Sequence, residues 1–356
     1  MLIGIFTKMD GMAGTEHRAI EMANAIVRHT NHKCTLLCER GITQYMLSKA
    51  DPNVKIAVET FGERGISANQ LYQLDTLLII NSDIQEYSQL TYWQGRTNRH
   101  KYSIEINKIP QITFLYNFIL HPATKLHEIA EICPDTRIIV ANHDMSNTLS
   151  TDKKYDKIKL LPRLILESPI DPHITNNKNP YNKIRIGRHT NSQSHKYNED
   201  HTKLITIINE THENQIIWDF MGIPPNKETE LSQFKNVITR KPFSTDVPEY
   251  LKDIDIYLQF ISYTRNEPWS RGVAEAMRSG CPILATNKGG HRDQIIHGNT
   301  GFLCDTIDDF NKHLTWFLDN PQLIHVLGYN AYTHSKQFLP INVIGKYLDF
   351  ITSRSA

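Results

Sequence analysis

The chain has 356 residues, 40% of them hydrophobic and 22% charged, a balance that fits a folded globular protein and excludes a disordered one. Lys and Arg number 39 against 38 Asp and Glu, a formal net charge of +1. With no concentrated basic block, that balance argues against a nucleic-acid binder built on phosphate contacts. At about 100–200 residues per domain, the length suggests two domains.

No apolar run approaches the roughly 18 residues that a membrane-spanning helix needs. The opening MLIGIFTKMDG has no basic leader, no long apolar region and no small-residue cleavage site. It reads as a first strand, not as a signal peptide. Residues 2–6 form a continuous apolar run, as expected of a strand buried on both faces of a parallel sheet. A turn holding Gly11 and Gly14 leads to a helix over 15–29, with Ile20, Ala23 and Val27 on one stripe. A strand over 34–38 follows, which completes the opening unit of a doubly wound sheet. Residues 76–80, 112–115 and 137–140 read as further buried strands, with a helix over 122–132 between two of them. One Rossmann-like domain over 1–166 results.

Residues 167–182, ESPIDPHITNNKNPYN, are rich in Pro and Asn and read as an interdomain linker. The strand–helix alternation then restarts. Strands are expected at 183–187, 216–221, 237–239, 254–258 and 282–285. Helices are expected at 201–214, 270–279, 306–318 and 321–335. These form a second Rossmann-like domain over 183–340, and an amphipathic helix follows in 341–356. The expected class is α/β, with two Rossmann-like halves facing a cleft where ligands bind. Cys34, Cys38, Cys133, Cys281 and Cys304 are odd in number, scattered and free of any CxxC, so they read as free thiols. The 17 histidines show no zinc spacing, and the pair His143-Asp144 has no companions at ligand distance. No metal is expected.

The most informative segment runs from Asn266 to Leu303. It reads as a loop, a short helix, a buried strand, a Gly289-Gly290 turn and a Gly-x-Thr-Gly turn. Glu267 sits in the loop and Glu275 inside the helix, eight residues later. The amides of Trp269, Ser270 and Arg271 lie at the positive end of the helix dipole, a ready site for a diphosphate. Two flanking carboxylates suit hydroxyl-rich groups on either side, one a sugar and one a ribose. Trp269 is expected to pack at the helix start. The first turn lacks GxGxxG, which argues against a dinucleotide dehydrogenase.

In this order, EPWSRGVAEAMRSGCPILATNKGG resembles the retaining GT-B glycosyltransferases of the family 4 type (glycosyl transferases group 1), whose hallmark is Glu-x7-Glu. The resemblance implies a GT-B fold with a C-terminal helix crossing back to the N-terminal domain. It also implies an Arg and a Lys that clamp the donor diphosphate, here Arg188 and Lys196, with Lys203 as the competitor. Glu267 would hold the donor sugar, Glu275 the ribose, and Gly14 would let the backbone approach donor or acceptor. The nucleotide base is expected near Pro242-Phe243. Where the family commonly has His-Asp after an apolar strand, this chain has Tyr116-Asn117, with His121 nearby, so the acceptor side departs from the pattern.

The activity implied is transfer of a sugar from a UDP- or GDP-sugar to a glycan, lipid-linked or other hydroxyl acceptor. Configuration would be retained, no metal or other cofactor would be needed, and the setting would be bacterial glycoconjugate synthesis. A cytoplasmic location is expected, or the inner face of the plasma membrane. Arg96, Arg99, Lys101 and Lys108 form a modest basic cluster, read first as a solvated face and second as a peripheral membrane contact. Two other functions share the fold. A sugar-nucleotide epimerase would need acid/base carboxylates near the sugar C2, and the Glu-x7-Glu context favours transfer instead. A non-catalytic sugar-nucleotide binding module fits poorly with intact Glu267, Arg188 and Lys196.

Overall fold

A computed structural model describes residues 1–7, 14–38, 41–58, 72–80, 92–93, 104–105, 111–116, 137–153, 156, 159–162, 183–192, 196–242, 244–264 and 267–352. Two compact units result, Met1–Ser168 together with Phe338–Ala356, and Pro169–Gln337. The expected helix over 122–132 lies outside the described residues, as does the whole of the expected linker.

In the first unit the strands are β1 (Leu2–Thr7), β2 (Lys33–Cys38), β3 (Lys55–Val58), β4 (Thr76–Ile80), β5 (Tyr92–Trp93), β6 (Ile104–Glu105), β7 (Ile112–Tyr116), β8 (Arg137–Val140) and β9 (Lys159–Pro162). Seven of them form one parallel sheet in the order β3-β2-β1-β4-β7-β8-β9, while β5 and β6 pair antiparallel. Apolar runs such as TLLII in β4 are buried along their length, as a sheet covered on both faces requires. Helix Gly14–His29 lays Ile20, Ala23 and Ile26 on this core. The last helix, Pro340–Thr352, joins the same core through Val343, Ile344, Tyr347, Leu348 and Ile351. Fully buried Arg137 at the start of β8 donates to the Phe350 carbonyl, and its guanidinium lies 5.7 Å from the Phe350 ring centroid. The C-terminal helix therefore crosses back to the N-terminal unit, as the GT-B resemblance implied.

The second unit holds β10 (Ile184–His189), β11 (Ile216–Met221), β12 (Val237–Arg240), β13 (Ile256–Gln259), β14 (Ile283–Thr286) and β15 (Gly301–Cys304). Their order is β12-β11-β10-β13-β14-β15, all parallel, which is the 3-2-1-4-5-6 order of a doubly wound sheet. The order reverses between β10 and β13. In such sheets the crevice beyond the strand ends at this reversal is where ligands bind. Arg188 and His189 end β10, and Phe260 follows β13.

Short elements escaped the sequence reading. His143-Asp144 opens helix His143–Thr151, whose Asn142 cap accepts from the Met145 amide at 2.8 Å. β15 was masked by the glycine-rich turn that leads into it.

Three strands are tied by one buried acid. Asp219 on β11 is fully buried and accepts from Arg240 Nε and NH2 at 2.7 and 2.8 Å and from Arg185 NH1 at 2.8 Å. Asp255, just before β13, accepts from the Arg185 amide at 2.7 Å, so the sequence Asp253-Ile254-Asp255 includes a strand anchor. Asp219→Asn would leave two arginines without their carboxylate. A loss of about 3 kcal/mol is expected, since breaking a buried pair costs more than the pair contributes. Urea unfolding at constant slope would measure it.

Candidate functional site

Arg188 lies at the sheet reversal and is almost completely buried. Its NH1 donates to the Phe260 carbonyl at 3.1 Å, bridging the ends of β10 and β13. Its guanidinium carbon lies 4.8 Å from the Tyr197 ring centroid. Its Nε has no hydrogen-bond partner, and no carboxylate bonds to it among the described residues. Gly187 explains how this strand end is held. A Cβ there would lie 2.6 Å from the Tyr250 hydroxyl, which donates to the Arg188 carbonyl at 2.9 Å.

Lys196 is close enough to Arg188 and Glu267 for both charges to act on it. Burial pulls its pKa down, Glu267 opposes this, and Arg188 reinforces it. Lys203 is exposed on helix His201–His212, so the lysine beside Arg188 is Lys196. Three groups of one small region thus come together at the strand ends: a buried guanidinium, a partly buried ammonium and the Glu267 carboxylate.

The loop carrying Glu267 is clamped from below. Gly290 N–H donates to the Glu267 carbonyl at 2.9 Å. A Cβ on Gly289 would come within 2.4 Å of that carbonyl oxygen, and one on Gly290 within 2.3 Å of the Pro268 oxygen. Only glycines allow this approach, and Gly289 also has φ +51. Fully buried Gln294 then grips Ser270 in both directions. Its Oε1 accepts from the Ser270 amide at 3.1 Å, and its Nε2 donates to the Ser270 carbonyl at 2.8 Å. Ser270 is the cap of helix Arg271–Arg278, its hydroxyl accepting from the Val273 amide at 3.3 Å. Trp269 is buried at this helix start.

Inside the helix, Glu275 is buried and held on both oxygens, by an ion pair with Arg271 and a hydrogen bond with His189. Arg271 Nε donates to Oε1 at 2.7 Å, and His189 Nε2 meets Oε2 at 2.8 Å. Burial alone would raise its pKa, but Arg271 and then His189 outweigh it and bring the carboxyl down to about 2. Beneath the site, His201 is fully enclosed by Tyr197, Phe220 and Phe260, with neither ring nitrogen hydrogen-bonded among the described residues. His291 is also buried, its Nδ1 2.7 Å from the Thr286 carbonyl.

Arg188, Lys196, Glu267, Trp269, Ser270, Arg271 and Glu275 therefore belong to one unit and cluster at its sheet reversal. Gly14 opens the first helix of the other unit, while Asn117, His121 and Phe243 lie outside the described residues. His189 and Gln294 were missed. A histidine after Gly-Arg and a glutamine after a glycine pair carry no chemistry in sequence; their partners become visible only in space. Among the described residues no cluster of three metal-ligating side chains occurs, and no helix is long and apolar enough to cross a membrane.

Residues 202–334 match the model of the family described as glycosyl transferases group 1. A putative glycosyltransferase, YtcC of Bacillus subtilis, is 27% identical over 109 residues, 30% of this chain and 26% of that protein. The alignment thus spans about a quarter of the curated relative. The glycosyltransferase structure from Rickettsia africae superposes with a TM-score of 0.73 at 12% identity over 99% of both chains. Anabaena HepE in complex with UDP gives 0.71 at 14% identity, over 99% of this chain and 100% of that one. The chain has the GT-B fold, and residues 202–334 of its second unit match the group 1 glycosyl transferase model.

The buried rings make stability depend on pH. Burial, then Arg188 and Lys227, hold His201 well below 6.5. Burial, with Arg188, holds His291 at about 4 against a hydrogen bond to Thr286. Both fold neutral, so their contribution is complete above pH 6.5 and shrinks as pH falls, by about 1.4 kcal/mol per unit for each ring. The share from His291 stops shrinking near pH 4, where the folded ring takes up its own proton. Glu275 has the same sign in a lower window: its stabilisation is present above pH 4.5 and lost as pH falls towards about 2. Urea melts between pH 7 and 4.5 should show the loss, and His201→Phe should remove roughly half the slope.

Proposed function

We propose that this chain, with its group 1 domain on a GT-B fold, transfers a sugar from a nucleoside diphosphate sugar to a hydroxyl acceptor with retention of configuration. One observation carries the reading: Arg188 is a buried cation with no bonded carboxylate among the described residues, set beside Lys196 and Glu267 at the sheet reversal. A buried, unmatched guanidinium is costly unless an anion meets it, and a diphosphate is such an anion.

In this reading Arg188 and Lys196 take the charge that builds on the leaving diphosphate. The amides at Trp269–Arg271 add the positive end of the helix dipole. These groups fill the part that a divalent cation plays elsewhere, so the reaction runs without metal. Glu267 accepts from the donor sugar hydroxyls and Glu275 from the ribose hydroxyls. The clamp from Gly289, Gly290 and Gln294 keeps Glu267 and the helix start in fixed relation. That fixed relation matters because positioning, more than reactivity, separates a transferase from a binder. Retention follows from the Glu-x7-Glu resemblance. The acceptor is assigned to the first unit, with Gly14, Asn117 and His121 as its candidate contacts. A glycan or lipid-linked hydroxyl of bacterial glycoconjugate synthesis, met in the cytoplasm or at the inner membrane face, fits that assignment.

HepE, which shares the fold, was crystallised with UDP, so uridine is the first base to try and guanosine the second. UDP or GDP at 100-fold its dissociation constant should stabilise the protein by about 2.7 kcal/mol, seen as a rise in melting temperature. Lys196→Ala should lose most of that rise. Glu267→Ala should keep it but lose sugar transfer and donor hydrolysis. The product anomer, read by proton NMR, should match the donor. No response to any nucleoside diphosphate would sink the proposal, and isomerisation of the donor sugar without acceptor would replace it with the epimerase.

A further inference from the structure

The Glu275 carboxylate is held on both oxygens before any ligand arrives, by Arg271 at 2.7 Å and by His189 at 2.8 Å. Arg271 is four residues away on the same helix, but His189 comes from the end of β10, on another element. An ionised carboxylate only accepts, so His189 Nε2 carries the proton. In the neutral ring Nδ1 is then an acceptor, and the Tyr257 hydroxyl lies 3.3 Å from both this Nδ1 and the His189 carbonyl oxygen. Burial keeps that phenol protonated, so it is the donor in whichever of the two contacts it makes. His189 is thus held by Tyr257 on one side and Glu275 on the other, and the carboxylate rotamer is held with it.

Gly272 provides an independent sign that this arrangement is built in. It lies between Arg271 and Glu275 on the helix, and a Cβ there would sit 2.4 Å from the Tyr257 hydroxyl and 3.5 Å from His189 Nε2. The helix gives up a side chain at the one place where Tyr257 and His189 must pass.

We propose that His189 is a positioning residue for the nucleotide: it holds Glu275 so that the carboxylate lone pairs left open by Arg271 and His189 receive the hydroxyls of the donor ribose. This deepens the nucleotide-sugar reading and rests on it. A carboxylate has about four lone-pair sites, so two remain after Arg271 and His189. Fixing the side chain beforehand removes an ordering cost from binding. The predicted signature is selective: His189 matters to a ligand with ribose hydroxyls and not to one without them.

The test compares UDP (or GDP, whichever binds the wild type) with its 2′,3′-dideoxy analogue by calorimetry on the full chain. Wild type should bind the ribonucleotide more tightly. His189→Leu should weaken the ribonucleotide about 10-fold and leave the dideoxy analogue unchanged, so the preference shrinks. His189→Gln, whose amide N–H reaches the same oxygen, should restore most of the preference. Equal weakening of both ligands, or of neither, overturns the role of His189 while the donor reading stands. Failure of the wild type to bind any nucleoside diphosphate overturns both. If circular dichroism shows His189→Leu unfolded, Tyr257→Phe decides. It keeps the ring and removes the O–H, and should shrink the preference about 3-fold; an unchanged preference overturns the proposal.

Discussion

Arg188 is the centre on which the second unit is arranged. Its guanidinium is almost completely buried, where a charged group is costly unless partners meet it. The groups in direct contact with it carry no charge of their own. The Phe260 carbonyl accepts from it, the Tyr197 ring faces it, and its charge helps hold His201 and His291 unprotonated. Around this one cation the reversal of the sheet is electrically positive, with the Lys196 ammonium and the Glu267 carboxylate near enough to act on one another.

The segment from Glu267 to Gln294 is better understood as a mechanical part than as a motif. Its two glycines and its glutamine do not touch anything reactive in the proposed chemistry; they fix the path of the backbone that carries the groups that do. Gly289 and Gly290 press against the carbonyls of Glu267 and Pro268, and Gln294 splints Ser270 in both directions. The spacing between Glu267 and Glu275 then follows from geometry. One lies at the loop before the helix and the other just over one turn inside, on a buried face that meets β10 through His189.

Much of this was legible from residues alone, for physical reasons. Strands buried on two faces leave unbroken apolar runs, so β4 and β8 fall where the sequence put them, at 76–80 and 137–140. The helix start near Ser270 and the Gly289-Gly290 turn were also readable, whereas Arg188 and Lys196 were singled out by the family resemblance. Short helices such as Pro225–Leu231 and Val247–Lys252 were not, because six or seven residues carry too little periodicity to register. Nor was the His189–Glu275 pair, which joins residues 86 apart in sequence. Local pattern records what an element needs; it does not record what a distant strand brings to meet it.

The last helix has a consequence for how the chain comes to be folded. Val343, Ile344, Tyr347 and Leu348 share a core with Ile3, Ile5 and Leu36, so segments far apart in this sequence close the same interior. During synthesis the second unit, Pro169–Gln337, has all its own strands before that closure. The first unit, begun earlier, must wait with an apolar face open until residues 340–352 emerge. Of these two units, the one begun first is thus the one completed last.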